Sequence, residues 1–294
     1  MKQISKISEF ITDVGCLIKY KLSAAVTLSA ITGYFIFETK PGTDLLFLFA
    51  GLFCLSGGAA ALNQVTESRY DSLMQRTKER PIPGKKLSRK SALTLSMLFI
   101  ITGLLFLYAD GIVPMALGLL NLVLYNLVYT SLKRVSPLAL IPGSLVGALP
   151  PVIGFTAAGG LVPDDGILLF SAFMFLWQIP HFWLISIRYA DDYKAAGFKL
   201  YKLFRNTGNP RLLVFLWILL STGILIGFSL YEVLFHWPLY LFLIPLNLIF
   251  IFIFYLLLFR PENEQNTRSA FILINSFSVA IMLIFIINSF LSAI

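Results

Sequence analysis

Apolar runs of about 17 to 25 residues recur along this chain with short polar or charged breaks between them. That is the length a helix needs to cross roughly 30 Å of hydrocarbon at about 1.5 Å of rise per residue. Nine such runs are predicted to be membrane-spanning helices, approximately over residues 18 to 37, 45 to 65, 91 to 109, 112 to 131, 138 to 158, 166 to 188, 212 to 230, 238 to 259 and 269 to 291. The expected fold class is therefore all-α: a polytopic membrane protein whose helices bundle around a central cavity open to the cytoplasmic side, with residues 1 to 294 as a single domain.

Lys and Arg are retained on the cytoplasmic side of short loops, so their distribution orients the bundle. With alternating spans, 22 of the 23 basic residues fall on the side of the N-terminus. Only Lys40 falls on the other side, whereas Glu38, Asp44, Asp110, Asp164, Asp165 and Glu232 all lie there. A missed or extra span inside the chain would invert this partition downstream, so nine spans and a cytoplasmic N-terminus are expected. The outer connections are only a few residues long. Two cytoplasmic ones, about 67 to 90 and 189 to 211, are long, charged and contain Pro or Gly, and long connections in a compact fold tend to carry function.

Composition narrows the class further. With 57% hydrophobic and 13% charged residues, no soluble globular surface can be built. The net charge of +8 is dispersed among loops at one membrane face, which argues against nucleic acid and for anionic lipid and an anionic substrate. Cys16 and Cys54 form no recognisable redox or metal pair. No removable signal peptide is expected at the N-terminus, and the resulting location is the cell's inner or plasma membrane.

Three constellations carry candidate chemistry. Asn63, Glu67 and Asp71 are spaced i, i+4, i+8, which puts an amide and two carboxylates on one helical face at the cytoplasmic mouth of the second span. Oxygen stripes of this kind suit Mg²⁺, which takes one or two carboxylates and completes its octahedron with water and phosphate oxygens. Arg76 and Arg80, just beyond, suit a diphosphate. The bland reading is a solvated, salt-bridged helix end, but carboxylates beside a span are costly and usually functional. At the end of the sixth span stand His181, Asp191, Asp192 and Lys194, where the acidic pair is a candidate second metal site at the same face. His181 could serve in packing, in hydrogen bonding or as a ligand. Asn121, Tyr125 and Tyr129 share a face of the fourth span, ending in Lys133 and Arg134, and such a face can stabilise an allylic cation through cation–π contacts. Ordinary helix packing is the alternative there. His236, beside Trp237 and Pro238, reads as an interfacial residue.

At these residues the chain resembles the UbiA superfamily of intramembrane prenyltransferases, and within it the branch that farnesylates haem. The matching strings are NQVTESRYDSLMQRTKERPIP from Asn63, LYNLVYTSLKR from Leu124, PPVIGF from Pro150, WQIPHFW from Trp177 and DYKAAG from Asp192. The first marks the superfamily, and the WQIPHFW and DYKAAG strings point to the haem branch. The chain departs from that branch at Phe198 to Tyr201 and at LALIPG after Arg134, which bears on the acceptor pocket and leaves the metal and diphosphate groups in place.

The resemblance implies transfer of a farnesyl group from farnesyl diphosphate to a vinyl group of haem b (protohaem IX), with Mg²⁺-assisted release of diphosphate. It implies Asn63, Glu67, Asp71 and Asp192 as metal ligands, with Asp191 a less certain one. Arg76, Arg80, Lys133 and Lys194 would grip diphosphate, Arg134 and His181 would join the substrate-binding set, and Tyr125 and Tyr129 would face the cation. The product would pass to a haem a synthase or to haem–copper oxidase assembly. The rivals are prenylation of an aromatic quinone precursor by the same machinery, and a membrane transporter whose acidic stripes are ion sites. Transporters place coupling sites near the midplane on broken helices, whereas these carboxylates fall at one membrane edge.

Overall fold

A computed structural model describes residues 2–199, 209–230, 237–260 and 264–292. His236, Leu200 and Tyr201 lie outside these residues, so the interfacial reading of His236 does too. The described residues form helices α1 (Lys2–Leu17), α2 (Tyr20–Phe37), α3 (Thr43–Asp71), α4 (Arg89–Asp110), α5 (Ile112–Val123), α6 (Thr130–Val135), α7 (Leu140–Ala157), α8 (Asp165–Arg188), α9 (Ala190–Ala195), α10 (Pro210–Leu230), α11 (Trp237–Phe259) and α12 (Glu264–Ser292). Nine stretches among them are long and apolar enough to cross a membrane, close to the predicted spans. The chain is a multi-pass membrane protein. Backbone amides have no water to bond in hydrocarbon, so helices satisfy them internally.

Two differences from the predicted spans matter. The second span continues without a break to Asp71, so α3 has 29 residues and is about 43 Å long, well beyond the roughly 30 Å hydrocarbon layer. Its last turns, with the candidate ligands, therefore stay helical beyond residue 65, the predicted end of the span. The fourth span is not one regular helix. Residues Leu124–Tyr129 form a π-helical turn between α5 and α6, a feature that inserts an extra residue per turn and is frequent at functional sites. Thr130 closes it by donating its hydroxyl to the Tyr125 carbonyl at 2.8 Å.

Packing separates two apolar cores. One, around Leu48, Leu52, Ile100, Leu107 and Ile153, joins α2, α3, α4 and α7. The other, around Phe170, Phe173, Ile218, Phe254 and Ile274, joins α8, α10, α11 and α12. Helix α2 crosses α7 at very close range. A Cβ on Gly33 would sit 1.9 Å from the Pro151 carbonyl oxygen, and one on Gly154 would sit 1.8 Å from that of Ala30. In lipid no hydrophobic drive brings helices together, and small residues that let backbones approach take over that role. The cavity opens between these cores, walled by α2, α3, α5, α7 and α8.

Candidate active site

The cavity has a volume of about 320 Å³. One face of α3 runs along it from Leu52 through Leu55, Ser56, Ala59, Ala60, Asn63 and Glu67 to Asp71. The positions recur every three to four residues, with adjacent pairs at 55/56 and 59/60, so a single stripe changes from leucine to small residues to oxygen donors. Glu67 and Asp71 are 2% and 1% exposed. Buried carboxylates need partners, and here they are cations. Glu67 is 2.7 Å from the Lys133 ammonium and 3.7 Å from Arg134. Asp71 accepts from Arg80 at 2.9 Å on both oxygens. Asn63 donates its amide nitrogen to the Thr130 hydroxyl at 3.0 Å, which leaves its carbonyl oxygen as the atom available to a cation.

The acidic pair of the sixth span is placed elsewhere. Asp191 and Lys194 are exposed, and neither they nor Asp192 lines the cavity. Both Asp192 oxygens accept backbone amide protons, from Gln75 at 2.8 Å and Arg76 at 3.2 Å. The expected five-residue ligand set of Asn63, Glu67, Asp71, Asp191 and Asp192 is thus not brought together in this geometry, because α9 docks on the loop after α3 and spends Asp192 in holding it. Among the described residues no three His, Cys, Asp or Glu side chains converge as a ready-made metal cage. From the DYKAAG string it is Tyr193 that lines the cavity, packed with Tyr70, Met74 and Phe198.

The remaining expected residues divide between the cavity and its rim. Arg76, Arg80 and Lys133 line the mouth. Arg134 lies outside the lining and is held over the Tyr70 ring at 4.6 Å. Tyr125 and Tyr129 line the cavity and stack on each other with centroids 5.9 Å apart. The Lys133 ammonium sits 5.3 Å above Tyr129, so the ring face that meets a cation here is already used as one. The π turn that carries this pair is not foretold by the spacing. Asn121 also lines the cavity, with its carbonyl oxygen unpartnered. His181 faces the cavity between the rings of Trp177 and Phe271, at 4.9 and 5.1 Å, and its Nδ1 is buried without a hydrogen-bond partner.

Sequence reasoning missed two residues of this region. Lys19, read as a topological charge, lines the mouth. It connects α1 to α2 in a left-handed conformation, φ 47°, which non-glycine residues seldom adopt and which marks a locally over-determined site. Burial, then Arg80 and Lys133 nearby, draw its pKa down to about 7, against the pull of Asp71 and Glu67. Gln64, beside Asn63, donates to the carbonyls of Cys16 and Leu17 at 3.1 and 2.8 Å, which ties the end of α1 to the helix that carries the candidate ligands. Its adjacency to Asn63 was the available signal; the partner came from a segment about 47 residues away.

The chemistry available is a mouth rich in oxygen donors and cations, two stacked phenols, and an apolar interior. A cation fits the donor set. Asn63, Glu67 and Asp71 offer hard oxygen donors, and one Glu67 oxygen is buried without a hydrogen bond.

Comparison with known proteins gives the family. The model of the UbiA prenyltransferase family matches residues 26–281. The protoheme IX farnesyltransferase of Geobacter sulfurreducens is 43% identical over 202 residues, 69% of this chain and 75% of that one. That of Flavobacterium psychrophilum is 30% identical over 97% of both chains. Among solved structures, a digeranylgeranylglyceryl phosphate synthase superposes with a TM-score of 0.75 at 17% identity, covering 95% of this chain and 98% of the other. A UbiA homologue from Archaeoglobus fulgidus bound to GPP and Mg²⁺ gives 0.65 at 15% identity, over 93% and 99%. At such identities the structures speak for the fold, while the match over most of the chain settles the lineage: this protein belongs to the UbiA prenyltransferase family.

Proposed function

We infer that this prenyltransferase moves the farnesyl group of farnesyl diphosphate onto a vinyl group of haem b to give haem o. The observation that carries the reading is the continuous α3 stripe, which joins a carboxylate and cation mouth to an apolar interior within one cavity. The relatives named protoheme IX farnesyltransferase point to the acceptor.

Asn63, Glu67 and Asp71 would hold Mg²⁺, which when bound supplies positive charge to the leaving diphosphate. Arg76, Arg80, Lys133 and Lys19 surround that position. Arg80 and Lys133 now pair with Asp71 and Glu67, and they are within side-chain reach of a diphosphate once those carboxylates turn to a cation. The C1–O bond of the donor breaks, the electron pair leaves with diphosphate, and the allylic cation forms beside Tyr125 and Tyr129. Their rings stabilise it by the same cation–π attraction that now holds Lys133. The apolar interior keeps bulk water from quenching it. The vinyl carbon of haem attacks C1, and water adds to the porphyrin-side cation and releases one proton to solvent, which accounts for the hydroxyethyl group. Asp192 contributes by holding the loop that carries Arg76 and Arg80. His181, with its free Nδ1, stands on the acceptor side, and Arg134 backs Glu67 at the mouth from 3.7 Å.

The site opens to the cytoplasmic face of the cell membrane, with the N-terminus on that side and both apolar substrates entering from the bilayer. Haem o would then pass to a haem a synthase or to haem–copper oxidase assembly. Mass spectrometry of haem extracted from cells with and without the protein tests the assignment: haem o is expected only with it. Prenylation of a small aromatic acid without any haem o would replace this reading by the quinone type.

A further inference from the structure

The cavity stripe on α3 has a graded composition that the transfer reaction alone does not require. Below Asn63 come the small residues Ala60, Ala59 and Ser56, and then Leu55 and Leu52, which are 3% and 1% exposed. Over this stretch α3 bears no charge, and its one hydroxyl, on Ser56, is turned back to the Phe53 carbonyl at 3.3 Å. The leucine end is closed from the side by α5. A Cβ on Gly118 would lie 2.9 Å from a Leu55 methyl and 2.7 Å from one of Leu107 on α4, so α5 meets α3 and α4 there without slack. The opposite wall differs in kind, carrying Gln178 and His181 with Gly143 and Gly147.

The distances along α3 make this a measure of length. At about 1.5 Å per residue, Ser56 lies about 10 Å below Asn63, Leu55 about 12 Å and Leu52 about 16 Å. A carbon–carbon bond of about 1.5 Å advances an extended chain by about 1.25 Å. The main chain of a geranyl group therefore spans about 9 Å, a farnesyl about 14 Å and a geranylgeranyl about 19 Å. A farnesyl tail whose C1 lies at the level of Asn63 ends between Leu55 and Leu52. A geranyl tail stops short of the leucines, and a geranylgeranyl tail overruns them.

We propose that the α3 face from Ala60 to Leu52, closed by Gly118, is the prenyl ruler of this enzyme, with Leu52 and Leu55 as its floor and Ser56 as the position at which it can be shortened. The proposal rests on the prenyl-transfer reading and adds to it the origin of the chain length. Small residues along the shaft let the tail lie against the backbone, and the leucine side chains set where it must end. The remaining wall, with its polar groups and glycines, is left to the acceptor.

The test uses the full-length enzyme in lipid nanodiscs with haem b and an equimolar mixture of geranyl, farnesyl and geranylgeranyl diphosphates, with the prenylated haems counted by mass spectrometry. The wild type is expected to use farnesyl diphosphate foremost. Leu52→Ala, and its combination with Leu55→Ala, should raise the geranylgeranyl-to-farnesyl ratio of kcat/KM by about tenfold or more, and Ser56→Phe should raise the geranyl-to-farnesyl ratio similarly, since pocket contacts of this size discriminate by about 10 to 200-fold. Ser56→Phe fills space and the leucine changes empty it, so the two directions do not share one route to misfolding. Val146→Ala, on the other wall, should leave both ratios unmoved. Ratios within about twofold of wild type in folded variants, or an equal shift from Val146→Ala, would overturn the ruler. Transfer from none of the three donors by the wild type would overturn the reading beneath it, and the ruler with it.

Discussion

Replacing Asp192 with Asn separates the two roles that sequence and structure give this residue. In the structure each carboxylate oxygen accepts one backbone amide, from Gln75 at 2.8 Å and Arg76 at 3.2 Å. A hydrogen bond to a charged group contributes about 1.5 to 3 kcal/mol. The partly exposed position and the longer second bond put both near the lower end. Asn keeps one acceptor, weakened by the loss of charge, and turns an NH₂ group toward the other amide. The net cost is about 1.5 to 2 kcal/mol, roughly a tenfold to thirtyfold shift in the opening equilibrium of the loop. Hydrogen exchange by mass spectrometry on the nanodisc-embedded protein should show the Gln75 and Arg76 amides exchanging faster by that factor. Pyrophosphate binding should weaken by less than about tenfold, because Arg76 and Arg80 lose their positions but keep their charges. The apparent Mg²⁺ affinity should stay within about threefold. Unchanged exchange with an apparent Mg²⁺ affinity lowered about a hundredfold would refute this reasoning and return Asp192 to the ligand set.

Asp71→Asn removes a charge with little change of volume, so the protein should fold while Mg²⁺-dependent turnover falls by orders of magnitude; near-normal turnover would remove Asp71 from the catalytic set. His181→Ala should weaken haem b binding about tenfold in a spectroscopic titration and leave farnesyl diphosphate binding within about twofold. Lys19, with its pKa near 7, is mostly neutral at about pH 8.5 and regains its proton beside a bound diphosphate. Calorimetry in buffers of different ionisation enthalpy should therefore show pyrophosphate binding taking up close to one proton more in the wild type than in Lys19→Gln, and equal uptake in both would remove Lys19 from the site. Single cysteines at Lys85 and Asp164, in a background lacking Cys16 and Cys54, should be labelled from opposite sides of the membrane, and labelling from the same side would sink the nine-span arrangement.

What the sequence determined by itself are the properties that depend on neighbours a few residues away. The membrane spans follow from runs of apolar residues, because an uninterrupted helix of that length is the lowest-cost way to place a backbone in hydrocarbon. The common face of Asn63, Glu67 and Asp71 follows from the helical period, and the structure puts all three on one cavity wall. Long-range placement was not legible there. Asp192 looks like a second acidic site from its neighbours, yet its partners are amides of residues 75 and 76, reached only when α9 docks on the far loop. Lys19 looks like one more cytoplasmic charge until α1, held by Gln64, turns it into the mouth at a left-handed residue. The π turn that carries Tyr125 and Tyr129 is closed by Thr130, whose hydroxyl also receives Asn63 from another helix. The leucine floor exists because α5 presses a glycine against α3. A hydrophobic pattern states which side of a helix is apolar, but which two helices meet, and at what depth, is decided by the packing of all of them at once.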